Sequence, residues 1–210
     1  MTTGGGGSAA TLGILISGRG SNMAALADAC LTGRIAARVG LVISNVKEAA
    51  GLAAAASRGL PTLVVDHRAA SSRADHDGRM AEALRAHNVN LVCLAGYMRL
   101  LSPAFVKAFE GRLMNVHPSL LPAFPGLDAQ RQALEHGVKI TGATVHYVND
   151  ALDGGPIILQ AAVPVEPGDT AGTLSARILV QEHRIYPEAV GLHVGNRLRI
   201  EGRRVRITGR

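Results

Sequence analysis

The chain has 210 residues, room for one α/β domain with a substantial core, and 47% hydrophobic against 18% charged residues excludes disorder for most of its length. With no Trp, three Tyr and three Phe it lacks the stacking faces of a single-strand nucleic-acid platform, and no apolar run approaches the ~18–20 residues of a membrane helix. The net charge of +6 is concentrated in Arg197, Arg199, Arg203, Arg204, Arg206 and Arg210, opposed there only by Glu201, on a body that is otherwise nearly neutral.

The opening MTTGGGGSAA has neither a charged start nor an apolar stretch, so residues 1–10 read as a flexible tail rather than a secretion signal. Residues 12–17 (LGILIS) read as a buried strand, followed by a helix from Ser21 to Thr32 closed by Gly33. Next come a strand at 39–44, an Ala-rich helix at 48–58 stopped by Gly59 and Pro61, and a strand at 62–67. A helix at 72–87 and a strand at 90–97 precede a short helix at 103–110, begun by the Ser102-Pro103 pair that suits an N-cap and first turn. LMNVHP (113–118) is the fifth strand. Alternation of apolar strands with helices predicts an α/β, doubly wound parallel sheet covered on both faces.

After Pro118 the rhythm changes. A Pro-rich loop (118–126) leads to a short helix near 129–136, strands at 143–148 and 158–165, and a long helix from about Thr170 to Val194 with a possible break at Pro187. The expected organisation is one domain over 11–196, a mixed-sheet extension of the parallel half, ending in a basic hairpin at 197–210. There Leu198, Ile200, Val205 and Ile207 alternate with arginines, the pattern of a half-buried edge whose charges deter edge-to-edge pairing, so nucleic acid is not the expected partner. Cys30 and Cys93 have no metal-ligand spacing, and the histidines lack HxH or HExxH patterns, so no metal is expected and the chain reads as reduced and cytoplasmic.

Three stretches carry chemistry. SGRGSN (17–22) joins a strand to a helix; its glycines let amides converge, and the helix N-terminus adds partial positive charge, as an anion requires. A tight turn with an ordinary helix cap is the alternative. Asn115 and His117 are two apart on a strand and so face one way at its C-terminal end, where an amide and an imidazole can stabilise an oxyanion; the alternative is that they satisfy the loop begun by Pro118. Asp153-Gly154-Gly155-Pro156 sets a carboxylate in a sharp turn, either to hold a neighbouring imidazole cationic or to cap its own turn. His146, at the same strand spacing as Thr144 and Val148, reads as a packed strand histidine, with a place supporting the Asn115–His117 pair as the alternative.

SGRGSN, AGYMRLLSP (95–103), NVHPSLLPAFPG (115–126) and GATVHYVNDALDGGPII (142–158) together resemble the phosphoribosylglycinamide formyltransferase family, in order over about residues 12–190. The resemblance implies a Rossmann-like doubly wound, mostly parallel sheet with a mixed extension, the formyltransferase fold. It also implies formyl transfer from 10-formyltetrahydrofolate to the amine of 5-phosphoribosylglycinamide, by direct attack and without a metal. Carried over by position, His117, Asn115 and Asp153 match the catalytic residues, and Gly20, Ser21, Asn22 and Glu182 match those that bind the phosphoribosyl substrate. Arg73, Met98, Arg99, Leu100, Leu101, Asn115 and the Asn149, Asp150, Ala151, Leu152, Asp153 loop would hold the folate. Two departures stand out, Leu179 where some relatives have a polar residue and Ala123 where some have lysine.

Expected partners are small molecules alone, with a monomer or homodimer both open. Formyltetrahydrofolate hydrolases and methionyl-tRNA formyltransferases resemble the same core, but each adds a domain for which 210 residues leave no expected room. A non-catalytic phosphosugar or nucleic-acid binder would rest on the basic tail alone.

Overall fold

The computed structural model describes residues 10–209. The expected N-terminal tail, apart from Ala10, lies outside them, as does Arg210. A nine-stranded, mostly parallel sheet runs through the molecule in the order β3-β2-β1-β4-β5-β6-β7-β9-β8. Its first half consists of β1 (Ala10–Ile16), α1 (Ser21–Leu31), β2 (Ala37–Ser44), α2 (Ala50–Ala56), β3 (Thr62–Val64), a 3₁₀ turn at His67–Ala69, α3 (Arg73–Ala86), β4 (Leu91–Leu94), α4 (Pro103–Ala108) and β5 (Leu113–His117). The second half adds α5 (Ala129–Glu135), β6 (Ile140–Tyr147), β7 (Ile157–Pro164), α6 (Ala171–Val194), β8 (Leu198–Glu201) and β9 (Arg204–Ile207).

Strand pairs among β1 to β5 are parallel, and β5–β6 and β6–β7 are antiparallel. Side chains alternate across the sheet as the strand period demands. Leu12, Ile14 and Ile16 of β1 enter a core with α1 and α6, whereas Leu15 enters a second core with Met80 and Leu84 of α3, Phe105 of α4 and Phe109 just beyond it. On β5, Met114 and Val116 join the α6 side, so Asn115 and His117 emerge on the α3–α4 side. Register with β6 sets Asn115 opposite His146 and His117 opposite Thr144. The α3–α4 layer packs over β1, β2, β4 and the start of β5; beyond it, loops cover the polar end of β5 and β6.

Three elements differ from the sequence reading. The 62–67 strand shrinks to three residues at the sheet edge, with Leu63 and Val64 more than a third exposed, since no strand lies outside it to bury them. The long helix runs unbroken through Pro187, which is buried inside it. It is held instead by tertiary contacts: the fully buried Tyr186 hydroxyl lies 3.0 and 3.1 Å from the carbonyls of Leu94 and Met114 on β4 and β5, and a Thr170–Thr173 capping box starts the helix. Finally, the 3₁₀ turn at His67–Ala69 fills a stretch read as strand end and loop. In the C-terminal hairpin, β9 pairs with β7 at Ile157–Arg204, and Leu198 and Val205 pack on the core while Arg199 and Arg206 face outward around Glu201.

Candidate active site

Four polar side chains converge where β5 and β6 leave the helix layer. His117 is 5% exposed and its Nδ1 stands 3.5 Å from Oδ2 of Asp153. Its Nε2 lies 2.8 Å from the Phe124 carbonyl. Both ring nitrogens therefore face oxygen atoms that can accept a hydrogen bond. Asp153 does not cap its own turn: its Oδ2 accepts the Gly126 amide at 2.8 Å and its Oδ1 lies 3.8 Å from His146 Nε2. A positive φ of 48° at Asp153 turns the chain so that the carboxylate points back between the two histidines.

Of the two readings of His146, the contacts favour support of the Asn115–His117 pair. His146 is buried, at 2% exposure, and its Nδ1 pairs with the Tyr147 carbonyl at 2.9 Å and its Nε2 with Asn115 Nδ2 at 3.3 Å. Burial pulls its pKa below the ordinary histidine value, outweighing the backbone bond and the Asp153 charge. Its place beside Asn115 follows from antiparallel register, a non-local property that spacing within β6 does not disclose. The loop over the cluster is held by another set that sequence reasoning missed: Thr144 Oγ1 donates to Ser119 O and accepts the Leu121 amide, and Gln160 donates to Leu121 O.

The strand order reverses between β1 and β4, the position at which open α/β sheets bind ligands. There the 17–22 loop leads into α1. Gly20 precedes the helix at φ 76°, a left-handed conformation, and a Cβ there would sit 2.7 Å from Gly51 Cα, so glycine is required on two counts. No side chain caps α1, which leaves its first-turn amides available to an anion. Asn22, in that turn, is 8% exposed; its Nδ2 donates to Glu182 Oε2 at 2.6 Å across 160 residues, and its Oδ1 has no partner. Burial raises the Glu182 pKa against the opposing effect of that hydrogen bond. Gly20, Ser21, Asn22 and Glu182 thus form one group. β1, which leads into this group, and β5, which carries His117, are separated by β4 alone, so the two strands run about 10 Å apart.

Met98 and Leu100 are 64% and 57% exposed, Leu152 is 58% exposed, and Asn149, Asp150 and Ala151 are exposed with it, so two apolar-tipped segments flank the cluster. Leu101 is half-buried against the α3–α4 core, and Arg99 has a buried Nε without a partner. Arg73 is exposed at the start of α3 and is not drawn into the cluster. Two concavities of about 240 Å³ lie elsewhere, one lined by Cys30, Arg58 and Leu60 and one by Glu166, Arg177 and Val180, and neither includes the cluster. Among the described residues no group of three or more His, Cys, Asp or Glu is placed to hold a metal ion, and no helix is long and apolar enough to cross a membrane.

A profile of the formyl transferase family matches residues 11–190. The chain is 46% identical over 187 residues to phosphoribosylglycinamide formyltransferase of Escherichia coli (strain K12), covering 89% of this chain and 88% of that protein. It is 46% identical over 183 residues to the trifunctional purine biosynthetic protein adenosine-3 of Homo sapiens, covering 87% of this chain, and spans only 18% of that much longer protein. The crystal structure of glycinamide ribonucleotide transformylase 1 from Symbiobacterium toebii superposes with a TM-score of 0.95 at 56% identity, covering 97% of this chain and 96% of that one. The chain belongs to the formyl transferase family, among its phosphoribosylglycinamide formyltransferases.

Proposed function

We propose that this chain transfers a formyl group from 10-formyltetrahydrofolate to the amine of 5-phosphoribosylglycinamide, a step of purine biosynthesis. The neutral amine nitrogen attacks the formyl carbon, the carbon–N10 bond breaks, and a proton passes from the amine to N10. No enzyme nucleophile takes part. Cys93 is fully buried and its thiol is pushed up to about 12, while burial pushes Cys30 up to about 11, which suits neither for attack.

The observation that carries the reading is the His117 imidazole held between the Asp153 carboxylate and the Phe124 carbonyl, with Asn115 on the same face of β5. Negative charge gathers on the formyl oxygen as the tetrahedral centre forms. One N–H of Asn115 Nδ2 is taken by His146, and the other is free to donate to that oxygen. His117, with both nitrogens already partnered, acts through its positive charge. Asp153 supplies the counter-ion and carries the amine proton toward N10.

The phosphate of the amine substrate fits the uncapped start of α1, where Gly20 and Ser21 present amides. Glu182 suits the ribose hydroxyls, which replace the water that burial has removed from it. Met98 to Leu101 and Asn149 to Asp153 suit the faces of a pterin, and Arg73 suits the acidic tail of a folate. Formyl transfer followed by absorbance, with and without the phosphoribosyl amine, tests the proposal. Formyl release that depends on the amine is expected; an equal rate without it would make the chain a hydrolase.

A further inference from the structure

We propose that Ser17 is a positioning residue that couples the two substrate sites, its hydroxyl tying the anion-binding loop to the segment that flanks the formyl donor. The inference rests on the assignment of those two sites above and adds a link between them.

Ser17 follows β1 and opens the loop that continues to Gly20, Ser21 and Asn22. Its Oγ accepts the Met98 amide at 2.9 Å and donates to Oδ1 of Asn45 at 2.6 Å, while its own amide donates to Gly96 O at 3.1 Å. The single hydroxyl proton is therefore committed to Asn45, which leaves a lone pair aimed at Met98. Asn45 is 3% exposed just beyond β2, and His67 Nδ1 lies 2.9 Å from its carbonyl. At the other end of the segment the Ser102 amide donates to buried Asp77 at 2.5 Å, and Asp77 pairs with fully buried His76.

Between these two anchors Met98 and Leu100 face solvent, whereas Leu101 is half-buried against the α3–α4 core. The backbone is thus held by Ser17 at the Met98 end and by Asp77 and the packing of Leu101 at the other. The Asp77 anchor belongs to the α3–α4 layer, whereas Ser17 is continuous with the loop that an anion would order. The Gly51 amide already braces that loop by donating to Gly18 O at 2.9 Å. An anion at the start of α1 settles residues 17–22, Ser17 holds Met98 in its place, and the donor then meets a segment whose ordering cost is reduced. Linkage makes the effect reciprocal.

Titration calorimetry of the full chain with tetrahydrofolate, with and without saturating phosphoribosylglycinamide, reads the coupling with no turnover. The unaltered protein should bind tetrahydrofolate at least ~5-fold more tightly when the amine substrate is present. In Ser17→Ala that gain should fall below ~2-fold, with affinity for phosphoribosylglycinamide alone within ~2-fold and the KM for the formyl donor rising ~5–10-fold while kcat changes less than ~3-fold. Asn45→Ala, which removes the acceptor that orients the hydroxyl, should lower the gain in the same direction and serves if Ser17→Ala does not fold. A gain retained in Ser17→Ala, or absent from the unaltered protein, overturns the coupling alone. Failure of the unaltered protein to bind either ligand overturns the site assignment and the coupling together.

Discussion

Asn115 Nδ2 stands 3.3 Å from Nε2 of His146, across the β5–β6 pair. Because His146 Nδ1 is 2.9 Å from the Tyr147 carbonyl, the proton of the neutral ring belongs on Nδ1, and Nε2 is left as an acceptor. Burial favours that neutral form. One amide proton of Asn115 is thereby fixed, and the plane of the amide with it. His146→Ala should lower kcat ~5–10-fold, the worth of one orienting hydrogen bond, with both KM values within ~2-fold. Steady-state formyl transfer measures this. A wild-type kcat in a variant with unchanged Tm would mean that Asn115 needs no such support.

His117 and Asp153 carry more. His117→Ala removes one of the two imidazoles that face Asp153, and kcat should fall ~10²–10³-fold, as when one donor of an oxyanion site is lost. Asp153→Asn preserves the shape and leaves an oxygen for the Gly126 amide, yet removes the charge. It should cost ~10²-fold in kcat with little change in substrate Kd. Comparable losses in Kd would instead assign both residues to binding.

The order of strands and helices was legible because buried strands show as apolar runs and helices as amphipathic stretches with Gly and Ser-Pro boundaries. The shared face of Asn115 and His117 was legible too, since period two is a local property. Contacts that depend on register or on distant segments were not. His146 meets Asn115 only because β6 runs antiparallel with that pairing, and Asn22 meets Glu182 only because α6 returns to the start of α1. Neither Ser17 nor Asp77 has a distinctive local pattern, for each acts on a backbone amide many residues away. Pro187 misled because the tertiary bonds of Tyr186 hold the helix where local propensity would break it.

Glu182 gives a pH signature. Burial raises its pKa, so between the ordinary glutamate value near 4.5 and the raised value the folded chain binds more protons than the unfolded one. Stability must therefore fall as pH rises through that window, and above it the ionised, buried carboxylate is a cost. Glu182→Gln keeps an oxygen for Asn22 and removes the charge. Its Tm at pH 7 should rise by ~2–4 °C, the equivalent of about 1 kcal/mol in a chain this size, and the difference from the unaltered protein should vanish below pH 4.5. The KM for phosphoribosylglycinamide should rise. A Tm gain that is equally large at pH 4 would rule out ionisation as its cause.

Gly155, like Gly142, is a position at which geometry leaves almost no choice. A Cβ there would lie 1.8 Å from the Tyr147 oxygen and 2.8 Å from its carbon, both backbone atoms of β6 that cannot swing aside. The same turn carries Asp153, and the Tyr147 carbonyl is the acceptor that orients His146. Gly155→Ala should therefore strike both stability and catalysis, with a Tm loss of ~5 °C or more and a kcat loss exceeding that of His146→Ala. Gly111→Ala is the matched control: its φ of 70° strains any side chain, but nothing lies within 4 Å of the added carbon. It should cost about 1 kcal/mol and leave kcat unchanged. If the two variants lose the same Tm and both keep full turnover, then the turn yields easily and the placement of Asp153 does not depend on it.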